Sequence, residues 1–207
     1  MKIIKLEHSC LIVEQGDRVL VIDPGVYSDS FAPNDNIDAV IVTHEHSDHF
    51  DLAKIQLIQR ENPNARIFTT PKVAAQIPGA EIAAGKIQNG AWQLEFFGHD
   101  HAPILDNVVP CENVGVVINN ELVYPGDSFS MPPVQAKILA LPVSAPWLKL
   151  GETVKYLAAT KPEKIFPTHD VLLSQIGRDI TYGLLRKTAA EIGAGFVDLQ
   201  PGESLEI

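Results

Sequence analysis

The chain has 207 residues, enough for one domain with a sizeable core, and its 45% apolar and 20% charged content is ordinary for a globular protein. A net charge of −10 disfavours nucleic acid as substrate or partner, because phosphate backbones are held by basic surfaces. The N-terminal octet Met1-Lys2-Ile3-Ile4-Lys5-Leu6-Glu7-His8 has no uninterrupted apolar segment, and no run approaches the ~18 apolar residues of a membrane span, so a signal peptide and membrane insertion are not expected. Cys10 and Cys111 belong to no Cys-x-x-Cys pair, which fits a reducing, cytoplasmic compartment better than a disulfide framework.

Residues 2–6, 10–14 and 18–22 read as short strands, with a turn at Glu14-Gln15-Gly16-Asp17. Asp23-Pro24-Gly25 ends the third, and 26–37 is a loop. The apolar run Ala39-Val40-Ile41-Val42 predicts a buried strand over 39–43, followed at once by His44-Glu45-His46-Ser47-Asp48-His49. A helix is expected over 51–60, with Leu52, Ile55 and Ile58 on one face, and Asn62-Pro63-Asn64 stops it. A strand at 67–69 and a short helix at 72–77 come next. The strand 92–97 then runs into Gly98-His99-Asp100-His101-Ala102-Pro103-Ile104.

Segments 113–118 and 122–124 form a hairpin across Asn119-Asn120 and deliver Pro125-Gly126-Asp127-Ser128, where Gly126 lets the backbone bend close to a ligand. A buried strand at 138–141 leads to the loop 142–147. Its small residues and an exposed-looking Trp147 suit a pocket wall, although Trp147 can equally pack under the helix expected over 152–159. The strand 164–166 delivers Pro167-Thr168-His169-Asp170. The segment 172–192 is largely helical with breaks expected near Gly177 and Gly183, and 196–199 and 204–207 close as short strands. No composition shift divides the chain, so 1–207 reads as a single domain.

The run after the 39–43 strand reads H-x-H-x-D-H. Neutral imidazole suits zinc, iron and manganese alike, and a carboxylate adds charge and hardness. In an extended segment alternate residues point the same way, so His44 and His46 can reach one metal together. Asp48 and His49 lie past the turn and can face a second. No single tetrahedral ion would take all four from so short a loop. Elsewhere the candidates are single residues. A lone histidine at a strand end is usually structural, and an aspartate before proline or at a turn is a turn residue or helix cap by default.

H-x-H-x-D-H after a strand resembles the signature of the metallo-β-lactamase superfamily. The resemblance implies an α+β fold, the four-layer αββα sandwich, holding two divalent metal ions, usually zinc, with manganese or iron open. It covers nearly the whole chain. It assigns His44, His46 and His101 to the first metal, Asp48, His49 and His169 to the second, and Asp127 to both. Asp23 is then the outer carboxylate that holds the motif loop. His-Ala-Pro-Ile, Pro-Gly-Asp-Ser, Val-Ser-Ala-Pro-Trp-Leu-Lys-Leu and Thr-His-Asp are similar to a lactonase-like branch, resembling ascorbate-6-phosphate lactonases. Relatives in that branch carry a histidine at the His8 position, lining the pocket. His101 matches the third motif best. His99, two residues earlier, could point to the same side and act as an outer partner.

The implied activity is hydrolysis of a small ester, lactone or phosphoester by a hydroxide activated between two divalent metals, with Asp48 or Asp127 shuttling the proton. Ser9 and Cys10 beside His8 do not make a triad. Three alternatives stand beside this reading: a diiron oxygen-reducing branch, which has glutamate where His46 stands; an RNA-processing or phosphodiesterase member; and a non-catalytic metal-binding protein. Substrate-contacting loops are expected at 26–37, 99–113 and 142–150, and the oligomeric state is not readable.

Overall fold

A computed structural model of the chain describes residues 1–34 and 36–207. Residue 35, in the expected 26–37 loop, lies outside them. The described residues form two compact units. One comprises Met1–Ala83, Asn89–Ala91 and Leu199–Ile207; the other comprises Ala84–Gln88 and Trp92–Asp198.

The chain begins with β1 (Lys2–Lys5), β2 (Leu11–Gln15), β3 (Arg18–Ile22), β4 (Ile37–Val42), α1 (Leu52–Glu61), β5 (Arg66–Thr69), α2 (Pro71–Ala74) and β6 (Glu81–Ile82). It continues through β7 (Lys86–Asn89), β8 (Trp92–Phe97), β9 (Gly115–Ile118), β10 (Leu122–Tyr124), β11 (Ile138–Pro142), α3 (Leu150–Thr160), β12 (Lys164–Thr168), α4 (Gln175–Glu191) and β13 (Gly195–Phe196). It ends in β14 (Ser204–Glu206). The α+β class read from the sequence is the class observed. No helix among the described residues is long and apolar enough to cross a membrane.

The first unit is built on a seven-stranded sheet of order β14-β1-β2-β3-β4-β5-β6. Strands β14 to β3 pair antiparallel, and β3 to β6 pair parallel. Alternation places Val19, Val21, Val40 and Val42 on one face, where Ile55 and Ile58 of α1 and Val73 of α2 complete a core. Asp51 caps α1 by accepting from Ala53 N at 2.9 Å. Because β3 and β4 run parallel, their carboxyl ends share one edge. The sequence therefore brings Asp23 and the Thr43–His49 loop side by side.

The second unit repeats the logic with the order β13-β12-β11-β10-β9-β8-β7. Strands β10 to β13 pair parallel, and β9 pairs antiparallel with both β8 and β10. Strands β8, β10, β11 and β12 thus end at one edge, carrying His101, Asp127, the 142–148 loop and His169. Leu157 of α3 and Leu185 of α4 pack on Val117, Leu139, Leu141 and Ile165. The β9–β10 turn forms at Asn119 and Asn120, with φ of 53° and 54° as the primed hairpin turn requires.

Three expectations differ from the structure. Helix α4 is unbroken over Gln175–Glu191. Each interior glycine costs about 1 kcal/mol relative to alanine, but burial of Tyr182, Leu185 and Ala189 in the core outweighs both. Strands β6 and β7 were not expected, because Glu81–Ile82 is two residues long and Lys86–Asn89 is polar without a buried face. Of the two alternatives open for Trp147, the exposed wall is the one that differs, because the side chain is buried at 7% exposure.

Candidate metal centre

In the first unit, Asp23 is fully buried and leaves β3 with φ 46°. Its Oδ1 accepts from Thr43 N at 2.7 Å, and its Oδ2 accepts from Thr43 Oγ1 and from His49 Nδ1, each at 2.7 Å. A carboxylate oxygen accepts here, so His49 carries a proton on Nδ1 and directs Nε2 away from Asp23. The Thr43 hydroxyl spends its one proton on Asp23. The 3.0 Å contact between Thr43 Oγ1 and His44 Nδ1 is therefore donated by His44, which directs Nε2 away from Thr43. His44 Nε2 lies 3.1 Å from His46 Nδ1. Two nitrogens on one tetrahedral ion with bonds of about 2.0–2.1 Å would be roughly 3.3 Å apart, so the separation suits a shared ion.

Asp48 Oδ2 accepts from His8 Nε2 at 3.0 Å and stands 3.7 Å from His49 Nε2. Ser9 Oγ donates to the Asp48 carbonyl at 2.5 Å, so the β1–β2 turn grips the motif loop at two points. Cys10 is fully buried, and that burial pushes its thiol well above the ordinary range. It is no nucleophile at neutral pH.

In the second unit, Asp127 lies between two histidines. Its Oδ2 is 3.4 Å from His101 Nε2 and its Oδ1 is 3.2 Å from His169 Nε2. His101 Nδ1 donates to the Ala102 carbonyl at 2.5 Å, and His169 Nδ1 donates to the Ser144 carbonyl at 2.7 Å. A carbonyl can only accept, so both rings carry a proton on Nδ1 and turn Nε2 toward Asp127. Asp127 is set by Asn113, whose Oδ1 accepts from Asp127 N at 3.0 Å, and by Trp147 Nε1, which donates to Oδ2 at 2.7 Å. His99 is exposed, and its carbonyl accepts from Asn113 N at 2.9 Å.

Among the described residues, the non-glycine positions with positive φ are His8, Asp23, Asn119, Asn120, Lys161 and His169. The asparagines make a hairpin turn and Lys161 is the left-handed cap of α3. The other three are candidate site residues, where backbone strain is held by surrounding bonds.

Sequence reasoning missed several supports. Thr43 was passed over as the last residue of its strand. Gly25 drew notice only as the last residue of the Asp23-Pro24-Gly25 strand end, yet a Cβ there would stand 2.0 Å from Asp48 O. Asp170 is buried beside His169, accepting from Tyr182 Oη at 2.6 Å and Arg178 Nη2 at 3.0 Å. Burial, and then Asp170, push the Tyr182 phenol far up, so it stays a donor. Adjacency to a candidate ligand was the available signal for Thr43, and Asp170 had that and its place in the Thr-His-Asp motif. Trp147 had none.

Comparison with known proteins gives a consistent result. The sequence model of the family described as "Beta-lactamase superfamily domain" matches residues 2–169. Protein Rv0786c of Mycobacterium tuberculosis is 32% identical over 193 residues, which span 89% of this chain and 91% of that protein. A UPF0173 metal-dependent hydrolase of Saccharolobus solfataricus is 31% identical over 78 residues, 35% of this chain and 34% of that one. The structure of Igni18, a metallo hydrolase from Ignicoccus hospitalis, superposes with a TM-score of 0.73 at 19% identity, covering 100% of this chain and 98% of that one.

Proposed function

Because the chain belongs to the metallo-β-lactamase superfamily and has its fold, we propose that it is a hydrolase whose chemistry depends on two divalent metal ions. The reading rests above all on four histidines, His44, His49, His101 and His169. Each is tied at Nδ1 to an oxygen, so each turns Nε2, the nitrogen a metal would take, the other way. A structural histidine has no need of that shared arrangement. A partial relative that is named a metal-dependent hydrolase adds support.

The donor set fits the ions: imidazole and carboxylate accept zinc, manganese or iron. His44, His46 and His101 would hold one, Asp48, His49 and His169 the other, and Asp127 both. When bound, such ions act as Lewis acids and bring the pKa of a ligated water toward ~7. The chain's own residues orient and move protons around that chemistry. Asp23 fixes the ring of His49, and Thr43 fixes that of His44. Asp48, hydrogen-bonded to His8 Nε2, is placed to accept a proton and pass it on. Asp127 presents one oxygen to each flanking histidine, while Trp147 and Asn113 keep it from rotating. The substrate is a small ester, lactone or phosphoester, with lactones the first choice from the branch the motifs resemble. Metal-loaded protein assayed against lactone, thioester, ester and phosphodiester panels tests this. Absence of metal-dependent cleavage in every panel would refute the hydrolase reading.

Two outer residues give expected results. Asp23→Asn keeps the shape but weakens the acceptor of three hydrogen bonds, and loss of an outer partner typically costs about 10–100-fold in metal affinity or activity. A variant with wild-type turnover and metal content would reduce Asp23 to a turn residue. Trp147→Phe keeps a ring against Phe129 but removes the Nε1 donor to Asp127. A competition titration with a chromophoric chelator should show metal affinity lowered by about 10–100-fold. Unchanged affinity would leave the indole as packing alone.

A further inference from the structure

Half of the large apolar side chains exposed among the described residues lie in two short segments, 102–109 and 171–176. Val109 is 89% exposed, Ile176 73%, Leu105 63%, Val108 58% and Leu172 56%. Such residues scattered singly over a surface need no explanation; gathered in a few percent of the chain, they do. Both segments belong to the second unit and both depart from its candidate ligands. The first follows His101 and the second follows His169, whose Nε2 atoms lie 3.4 Å and 3.2 Å from the two oxygens of Asp127. The apolar surface therefore begins where the candidate metal ligands end. In the first unit the same pattern holds on a smaller scale. Val26 and Tyr27 are exposed directly after Asp23-Pro24-Gly25, and the Tyr27 ring stands edge-on to His8 at 5.3 Å.

Charge is absent on the cationic side. Neither segment contains Lys or Arg. The nearest arginine after His169, Arg178, is bonded to Asp170, and the chain carries a net charge of −10. Phosphate or carboxylate on a substrate would find no guanidinium fork here.

We propose that 102–109 and 171–176 form an apolar rim that takes the hydrocarbon part of the substrate, so that the preferred substrates are uncharged esters or lactones bearing an extended alkyl or acyl chain. This deepens the hydrolase reading and rests on it. Continuity with the ligand-bearing strand ends is what favours a substrate chain as occupant over a second copy of the protein.

The test uses the metal-loaded protein with p-nitrophenyl acetate, butyrate, hexanoate and octanoate. It compares wild type with the double variants Leu105→Ser/Val109→Ser and Leu172→Ser/Ile176→Ser. These side chains are exposed, so the fold should tolerate the changes. Wild-type kcat/KM should rise roughly two- to fourfold per added methylene, as apolar burial implies, and each double variant should flatten that rise. Binding of the neutral fluorophore N-phenyl-1-naphthylamine, displaced by 1-octanol, reads the rim without turnover and should weaken in both variants. Dye binding that depends on the rim, with no cleavage of these esters or of any compound in the lactone, thioester and phosphodiester panels, would defeat the hydrolase reading and leave the apolar site standing. Rates independent of chain length, with dye binding indifferent to the substitutions, would overturn the rim while leaving the hydrolase intact. If the variants change only the sedimentation of the protein, the surface is an interface between copies, and the proposal is wrong.

Discussion

His101→Ala is expected to release metal and abolish turnover, while His99→Ala keeps its metal and changes the rate only mildly. The two histidines are two residues apart after β8, and alternate residues of an extended segment point the same way, so spacing does not separate them. Their surroundings do. His101 is buried, its Nδ1 is spent on the Ala102 carbonyl, and its Nε2 stands 3.4 Å from Asp127. His99 is exposed, and its backbone is occupied in holding Asn113. Losing a ligand removes a bond from an ion that must have its coordination filled, so the loss should exceed the roughly 10–100-fold typical of an outer partner. Metal content and rate for both variants at one pH decide the matter. If His99→Ala loses the metal and His101→Ala retains it, the assignment is inverted.

Gly25→Ala, a single added methyl, should be nearly as damaging. A Cβ at position 25 would fall 2.0 Å from Asp48 O, 2.1 Å from Asp48 C and 2.5 Å from His49 N. All three are backbone atoms, so no side chain can swing aside. Either the 23–26 segment or the backbone that carries two candidate ligands must move by about 1 Å or more, a displacement that can cost on the order of 100-fold in rate. Lys54 Nζ donates to the Gly25 carbonyl at 2.6 Å and to the Ser28 carbonyl at 2.8 Å, which ties down the segment that would otherwise yield. Overpacking of this kind costs about 1–3 kcal/mol, so the melting temperature should fall by roughly 2–12 °C. Calorimetry with metal analysis checks both effects. A variant that melts and binds metal like wild type would show that the loop yields freely.

What the sequence made legible follows from where its signals are local. The apolar run Ala39-Val40-Ile41-Val42 announced β4, and Asn119-Asn120 announced the hairpin. The H-x-H-x-D-H run announced a metal site because four donors sit within six residues of a buried strand. The remaining candidate donors, His101, Asp127 and His169, were single residues that only a family resemblance could single out. Their grouping in the second unit depends on β8, β10 and β12 sharing a carboxyl edge, a property of strand order and not of any one segment. The supports were less legible still. The need for Gly25 comes from backbone 23 residues away, and the Trp147 hydrogen bond reaches 20 residues back to Asp127. Helix α4 was misjudged for the converse reason. Two glycines are a strong local signal, and tertiary burial of Tyr182, Leu185 and Ala189 overrode it.

The claim on which all of this depends is that the chain holds two divalent ions. Protein exchanged into metal-free buffer, reconstituted with zinc, freed of excess by gel filtration and then measured by elemental analysis should contain about two zinc ions per chain, as the donor count requires. It should contain about one after His46→Ala or His49→Ala. A wild-type chain that retains no zinc, and takes up neither manganese nor iron on titration, would contradict the account.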